Sequence, residues 1–252
     1  MRRLLIAANW KENKINEEVA DFINNLKVQI SDVGDREVLI CPSFVSIVTA
    51  HDCALNTNVM VGSQDVSIYE NGAYTGEISA QMLKDFCKYV LVGHSERRKY
   101  FNEDNNIINN KIKIAVKNGI NAILCIGENI DQKNSNQTNK FVKTQIIECL
   151  KGISKENINN IIIAYEPVWA ISGGDQSCKP ATPKDIEEIH LFIRNTISEL
   201  YNEEISMKIR IIYGGSVKPE NVVEIMAQKN VDGGLIGNAS LELDSFLKLI
   251  KY

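Results

Sequence analysis

The sequence alternates between short apolar runs and longer segments of helical periodicity, and this alternation restricts the possible fold more than any other feature. Eight of the apolar runs are four to six residues long and rich in β-branched side chains. They are Leu4–Ala8, Val38–Cys41, Val59–Gly62, Tyr89–Val92, Ala122–Ile126, Ile161–Tyr165, Ile209–Tyr213 and Val231–Ile236. Unbroken apolar runs of this length are typical of strands that are covered on both faces. The pattern therefore predicts eight parallel strands.

The segments between these runs carry the spacing of amphipathic helices. Ile15–Ile30 and Thr182–Leu200 each place their apolar residues on one helical face. The second segment also has a start signal, because Thr182 can cap a helix that begins with Pro183. The polar stretch 129–139 is predicted to be a surface connection that leads into a helix.

Strand and helix alternate along the whole chain, which predicts an α/β fold whose parallel sheet can close on itself. An open, doubly wound sheet is the alternative, and it would usually carry a G-x-G-x-x-G turn after its first strand. The first run is followed instead by Asn9-Trp10-Lys11. A chain of 252 residues is long enough for one barrel. We therefore predict a single (β/α)8-barrel domain over residues 1–252.

Composition and charge exclude several classes of partner. The formal net charge is -4 at pH 7, whereas nucleic-acid-binding surfaces normally show a basic excess. The first apolar run stops at Asn9, and no stretch approaches the roughly 20 apolar residues of a membrane helix. The six cysteines form no C-x-x-C pair, which favours a reducing compartment. The sequence predicts a cytoplasmic protein that binds neither nucleic acid nor membrane.

Polar side chains follow the first, fourth and sixth runs, at the end of the barrel where active sites lie. Lys11 could be a fixed cation for a bound anion, or a solvated loop lysine. His94 precedes a helix, and a positive charge is disfavoured at the start of a helix. A neutral imidazole there could donate a hydrogen bond to a carbonyl oxygen. The alternative is a structural histidine that caps a turn. Glu166 follows a buried strand and suits a general base, unless it is an ion-paired structural residue.

Small residues follow the seventh and eighth runs, in Gly214-Gly215-Ser216 and Gly237-Asn238-Ala239-Ser240. Barrels build phosphate sites at these two strand ends from exposed N–H groups. The small residues of 170–174 suit a mobile lid, or else an idle surface loop. No metal-ligand spacing is visible, so we expect neither a metal nor a cofactor. Together these residues predict proton abstraction beside the carbonyl of a small phosphate ester.

Five motifs in order along the chain resemble the triosephosphate isomerase family. They are Asn9–Asn13, Gly93–Arg98, Ala164–Ile171, Tyr213–Val217 and Asp232–Leu241. The resemblance spans essentially the whole chain. It implies a (β/α)8 TIM barrel that interconverts dihydroxyacetone phosphate and D-glyceraldehyde 3-phosphate through an enediolate, a step of glycolysis and gluconeogenesis.

The resemblance also implies roles for the residues around the reacting carbon. In that family, the glutamate that corresponds to Glu166 abstracts the proton. The histidine that corresponds to His94 acts on the carbonyl as a neutral imidazole. Residues matching Asn9 and Lys11 bind substrate and stabilise the enediolate. Glu96 would lie beside the site, in a supporting role.

Further roles concern the phosphate, the lid and the partner subunit. Phosphate contacts would come largely from main-chain N–H groups, at Ser172, Ser216, Gly237 and Asn238. Tyr213 and Ser216 would hold the closed lid. The stretch 71–79 resembles a loop that inserts into a second subunit, where Thr75 would support the partner's Asn9 and Lys11, which implies a homodimer.

The chain departs from the family pattern in the lid and at Asn238. Segment 175–180 is longer than the family's usual hinge by about four residues, and Ser172 and Gly173 replace a usual glycine and threonine. Asn238 stands where a second glycine is common, and asparagine tolerates left-handed backbone better than most residues. Two alternatives remain: a barrel isomerase acting on a larger sugar phosphate, and a binding protein that has kept the barrel without turnover.

Overall fold

Eight parallel strands pair in chain order and close into a barrel, because the first strand pairs with the eighth as well as with the second. The computed structural model describes residues 2–171 and 181–252. The strands are β1 (Leu4–Asn9), β2 (Arg36–Cys41), β3 (Val59–Ser63), β4 (Tyr89–Val92), β5 (Asn121–Ile126), β6 (Ile161–Tyr165), β7 (Arg210–Tyr213) and β8 (Gly233–Ile236). The predicted (β/α)8 fold is confirmed.

Helices connect successive strands on the outside of the barrel. They are α1 (Asn16–Gln29), α2 (Ile47–Ala54), α3 (Ala80–Leu83), α4 (Ser95–Tyr100), α5 (Asn105–Lys117), α6 (Ile130–Asn134), α7 (Thr138–Cys149), α8 (Pro183–Leu200), α9 (Glu203–Lys208), α10 (Val222–Met226) and α11 (Leu243–Ile250). Helix α8 begins as predicted, because the Thr182 hydroxyl accepts from the Asp185 N–H at 3.2 Å.

The strands bury both of their faces, which explains their unbroken apolar sequence. Residues such as Leu5, Leu91 and Ile212 fill the barrel interior, whereas Ile6 and Val90 pack outward against the helices. Side chains therefore close the barrel lumen, and a ligand has room only at the ends of the strands.

Two strands start two residues away from their predicted positions, and four other strand boundaries differ by one residue. Strand β2 starts at Arg36, two residues before the apolar run, because Glu37 accepts hydrogen bonds from Tyr89 and Arg210 across the bottom of the barrel. Strand β8 starts at Gly233, two residues after the run begins. Gly233 has a φ of +133°, and a Cβ there would lie 1.9 Å from the Leu5 carbonyl oxygen.

The polar stretch 129–139 contains a helix where the sequence predicted only a connection. Asn129 caps α6 by accepting from the N–H groups of Asp131 and Gln132, and Gln132 accepts in return from the Asn129 N–H. This reciprocal cap stabilises a turn of helix that has no apolar face. Helix α7 then follows, as predicted.

No helix within the described ranges is long and apolar enough to cross a membrane. Within the same ranges Cys41, Cys53, Cys87, Cys125 and Cys149 are free thiols. Cys178 lies outside the described residues.

Candidate active site at the carboxyl ends of the strands

Residues from five strand ends surround one hollow at the carboxyl-terminal rim of the barrel. A cavity of ≈ 330 Å³ is lined there by Asn9, Lys11, His94, Glu166, Ile171, Gly214, Gly215, Leu235 and Gly237. These residues follow or end β1, β4, β6, β7 and β8, so they are far apart in sequence. Because parallel strands all point the same way, their carboxyl ends meet at one rim.

His94 is held as a neutral imidazole by the start of α4. It caps this helix, and its Nδ1 accepts a hydrogen bond from the Glu96 N–H at 3.2 Å. A ring nitrogen that accepts carries no proton, so the proton of the neutral ring is on Nε2. The Glu96 carboxylate lies 3.5 Å from the same Nδ1, but the main-chain bond leaves no proton there for an ion pair. His94 therefore presents an Nε2–H donor to the cavity.

Glu166 lies opposite His94 and is almost completely buried, with 2% of its surface exposed. Its Oε1 is 3.2 Å from His94 Nε2, and its Oε2 accepts from the Ser95 N–H at 3.2 Å. The Ser95 N–H hydrogen bond and the nearby His94 ring nitrogen engage the carboxylate away from bulk water. The carboxylate is therefore available to a ligand only if it exchanges these contacts for contact with that ligand.

Two glycines give Glu166 the space that it occupies. A Cβ on Gly127 would lie 1.8 Å from the Glu166 carbonyl oxygen, where β5 and β6 approach each other closely. A Cβ on Gly214 would lie 2.7 Å from the Glu166 Cγ. Both distances are shorter than contacts that real Cβ atoms make, so a larger residue would displace the Glu166 main chain from position 127 and the Glu166 side chain from position 214.

Lys11 adopts a left-handed backbone conformation with a φ of +53°, which is unusual for a residue with a long side chain. Two hydrogen bonds hold it there: its N–H donates to Asn9 Oδ1 at 3.1 Å, and Gln64 Nε2 donates to its carbonyl at 2.9 Å. Gln64 also donates to the Cys41 carbonyl at 2.9 Å, which ties Lys11 to the end of β2. The Lys11 ammonium is 2.6 Å from Glu96 Oε1, so its charge is paired at the edge of the cavity. This strained backbone is the kind that surrounding structure maintains at functional sites.

The turns after β7 and β8 present unused main-chain donors. Within the part of the chain that the structure describes, the N–H groups of Ser216, Gly237 and Asn238 donate to no other protein group. Asn238 begins a short 3-10 helix, and its φ is not among the positive ones, so it does not use the left-handed conformation expected for it. Ser172, the fourth predicted phosphate ligand, lies outside the described residues.

The supporting residues are not all brought to the cavity. Glu96 contacts both Lys11 and His94 at its edge. Tyr213 is buried beneath the β7 turn, burial raises the pKa of its phenol, and a Cβ on Gly215 would meet its hydroxyl at 2.1 Å. Thr75 is exposed on the loop between β3 and α3, where Tyr69 and Tyr74 stack at 3.5 Å between ring centroids.

Sequence reasoning missed three contributors: Gln64, Gly127 and the Ser95 main-chain N–H. Gln64 follows directly on the residue that ends β3, so its position at a strand end was an available signal. The signal for Gly127 was weaker, since a glycine after a strand is common in loops. Nothing in the sequence showed that the Ser95 N–H would reach Glu166, because that contact spans 71 positions. No cluster of three or more His, Cys, Asp or Glu side chains suited to a metal occurs among the described residues.

The closed parallel barrel, with its polar residues gathered at the carboxyl ends of the strands, defines the class of (β/α)8-barrel enzymes. The profile of the family described as "Triosephosphate isomerase" matches residues 4–252. A protein named triosephosphate isomerase from Finegoldia magna is 46% identical over 255 residues, covering 100% of this chain and 99% of its own. Its namesake from Thermoanaerobacter pseudethanolicus is 44% identical over 253 residues, with full coverage of both chains. The chain belongs to the triosephosphate isomerase family.

Proposed function

We propose that this chain interconverts dihydroxyacetone phosphate and D-glyceraldehyde 3-phosphate, the reaction for which its relatives are named, and that Glu166 is the base. The observation that carries the proposal is the pair formed by Glu166 and His94. A dry carboxylate faces the protonated nitrogen of a neutral imidazole at 3.2 Å. One group can accept a carbon-bound proton, and the other can donate a hydrogen bond to the adjoining carbonyl.

The reaction follows from these two groups. When the substrate carbonyl oxygen accepts from His94 Nε2–H, the substrate lies between His94 and Glu166, and the Glu166 carboxylate can take a proton from the neighbouring carbon. The electron pair of the broken C–H bond forms a carbon–carbon double bond, and the carbonyl electrons move to oxygen, which gives an enediolate. The hydroxyl proton of the enediolate then passes to the other oxygen, and Glu166 returns its proton to the other carbon, which completes the exchange of carbonyl and hydroxyl. Neutral imidazole suits this role because it hydrogen-bonds to the enediolate oxygen without an initial charge of its own.

Lys11 and Asn9 supply charge and orientation to the same oxygen. The Lys11 ammonium is paired with Glu96 at 2.6 Å, at a position where both side chains are partly exposed. An anionic ligand in the cavity competes with Glu96 for this ammonium. Because the left-handed backbone of Lys11 is fixed by Asn9 and Gln64, the cation need not be ordered again when substrate binds.

The N–H groups of Ser216, Gly237 and Asn238 donate to no protein group among the described residues, and Gly237 lines the cavity, which supports a phosphate dianion beside it. We assign Ser172 to the same phosphate from the family resemblance alone. The name of the relatives, triosephosphate isomerase, favours a three-carbon phosphate over the larger sugar phosphates of other barrel isomerases. Competition between a three-carbon and a five-carbon phosphate ester separates the two substrates: stronger inhibition by the five-carbon ester would contradict this choice.

The central test replaces Glu166 by glutamine, which keeps the size of the side chain and removes its basicity. We expect turnover to fall at least about 10³-fold in a coupled assay with D-glyceraldehyde 3-phosphate, as is common when a general base is lost. Binding of inorganic phosphate should persist. Glu220→Gln is the matched control, because Glu220 is exposed after β7. A Glu166→Gln variant with near-normal kcat would overturn the assignment of the base.

We further propose that two copies of the chain form a homodimer, with Thr75 of each copy supporting Asn9 and Lys11 of the other. An open cavity of ≈ 1170 Å³ beside the site is lined by both of these residues and by the exposed rings of Tyr100 and Phe101. A protruding loop with small residues and stacked tyrosines is suited to fill it. Apolar side chains exposed beside a polar pocket commonly mark a protein interface.

Light scattering after gel filtration tests the dimer. We expect the wild-type mass to be twice the 28.3 kDa of the chain. Thr75→Arg should shift the mass toward that of the monomer and lower kcat, whereas Thr144→Arg, on the exposed side of α7, should do neither. A dimer that tolerates Thr75→Arg would contradict the contact. We also propose that the chain acts as one domain in the cytoplasm, where its free thiols stay reduced.

A further inference from the structure

A second cavity lies on the other side of Glu166 from the first. Its volume is ≈ 300 Å³, at the lower end of the range of small-molecule sites. It opens between α4 and α7, and its walls include Ser95, Arg98, Lys99, Phe141, Gln145 and Val168. The proposed reaction uses none of these side chains. Glu166 itself lines both cavities, so the second one adjoins the base.

Gln145 gives this cavity a built hydrogen-bond donor. The side chain is only 3% exposed, and its Oε1 accepts from the Gly127 N–H at 2.9 Å. This bond fixes the orientation of the amide, because the acceptor end is already engaged. The Nε2 group has no hydrogen-bond partner within residues 2–171 and 181–252. A ligand in the cavity can therefore accept a hydrogen bond from this nitrogen without displacing a described protein partner.

The charges around the cavity favour an anion. Arg98 and Lys99 line it, and Glu166 is the one carboxylate among its described lining residues. The Glu166 carboxylate accepts a hydrogen bond from the Ser95 N–H and lies 3.2 Å from His94 Nε2, so it is already engaged. Arg98 is fixed by hydrogen bonds to the Gly93 and Cys125 carbonyls, so its positive charge stays at the cavity wall. Phe141 and Val168 supply an apolar surface opposite these polar groups.

We propose that this second cavity binds a small monocarboxylate with a compact apolar body, and that the bound ligand lowers turnover. The carboxylate accepts from Gln145 Nε2 and lies in the field of Arg98 and Lys99. The apolar body packs on Phe141 and Val168. The binding step is independent of the proposed reaction, whereas the effect on turnover rests on Glu166 being the base.

The cavity is coupled to the base through Ser95 and Val168. Ser95 holds Glu166 Oε2 through its main-chain N–H, and Val168 follows Glu166 by two positions. A ligand packed between them stabilises the arrangement in which Glu166 is held away from substrate. Since a ligand shifts an equilibrium only by its differential affinity, it must bind this arrangement more tightly than the one that reacts.

Calorimetric titration with sodium benzoate tests binding directly. We expect saturable binding to the wild-type protein, and binding at least about tenfold weaker to Gln145→Glu, which keeps the acceptor for Gly127 but replaces the donor by a carboxylate. Phe141→Trp, which fills the cavity, should abolish binding. Gln137→Glu is the matched control, because Gln137 is exposed at the start of α7 outside the cavity and gains the same charge. Its affinity should equal that of the wild type.

Kinetics then test the coupling. Benzoate should lower kcat and leave KM for D-glyceraldehyde 3-phosphate unchanged, and this inhibition should disappear in Phe141→Trp. Three results would overturn the proposal: no binding at millimolar benzoate, equal binding to Gln145→Glu, or inhibition that substrate or inorganic phosphate competes away. A failure of the proposed reaction would appear elsewhere, as near-normal turnover in Glu166→Gln with benzoate binding intact.

Discussion

Replacing Gly214 by alanine tests whether the position of the Glu166 carboxylate is set by packing. The new Cβ would lie 2.7 Å from Glu166 Cγ and 3.3 Å from the Tyr165 carbonyl oxygen. Ordinary contact begins at 3.4 Å, so the carboxylate has to move by about 0.7 Å. Misplacement of a catalytic group by about 1 Å can cost about 10²-fold in rate. We expect kcat to fall roughly thirtyfold to a hundredfold.

The assay compares kcat, KM and thermal unfolding for Gly214→Ala and for a control. Gly34→Ala is the control, because no atom lies within 4 Å of its added Cβ and its backbone is not left-handed. We expect Gly34→Ala to match the wild type in all three measurements. In Gly214→Ala, the loss should be in kcat with little change in KM, because phosphate binding depends on other groups. A folded Gly214→Ala variant with wild-type kcat would refute the packing argument.

Two further predictions concern Gln64, which supports Lys11, and His190, whose protonation affects stability. Gln64→Ala removes the donor to the Lys11 and Cys41 carbonyls, so kcat/KM should fall about tenfold or more; an unchanged value would show that Lys11 needs no such support. His190 is fully buried, and burial lowers its pKa to about 3, whereas an unfolded histidine has a pKa of about 6.5. As the pH falls below about 6.5, His190 is protonated in the unfolded state but stays neutral in the folded state. The free energy of unfolding therefore decreases, by about 2 kcal/mol at pH 5. His190→Phe should remove that loss in urea unfolding at pH 7.5 and pH 5, and an unchanged pH dependence would exclude His190 as its source.

The strand ends show how far sequence patterns reached into the site. Lys11, His94 and Glu166 were predicted from one rule, that active sites of closed barrels lie where strands end. The rule worked because apolar runs mark strand ends within one or two residues. It did not predict the state of the groups. That His94 accepts through Nδ1, and so presents a proton on Nε2, depends on the Glu96 main chain at the start of α4.

Other features had no sequence signal because they join distant segments. Strand β2 begins at Arg36 because the Glu37 carboxylate accepts hydrogen bonds from Tyr89 and Arg210 at the bottom of the barrel. These residues are 52 and 173 positions away in the sequence. The donor to Lys11 comes from Gln64, 53 positions away. The second cavity behind Glu166 is formed by α4, the end of β5 and α7 together. No local pattern encodes such meetings, because they exist only after the strands have closed.

The amino-acid sequence alone determined the barrel, the order of its strands and the rim on which the reactive residues stand. Strands that are buried on both faces have unbroken apolar sequences, which recur along the chain and can be recognised. Parallel strands also place their carboxyl ends together, which predicts where the reactive residues lie. Only the tertiary structure decided the left-handed backbone of Lys11, the dry pairing of Glu166 with His94 and the free amide of Gln145. These are matters of distance and exposure between segments far apart in the chain, and they arise when packing removes water from between them.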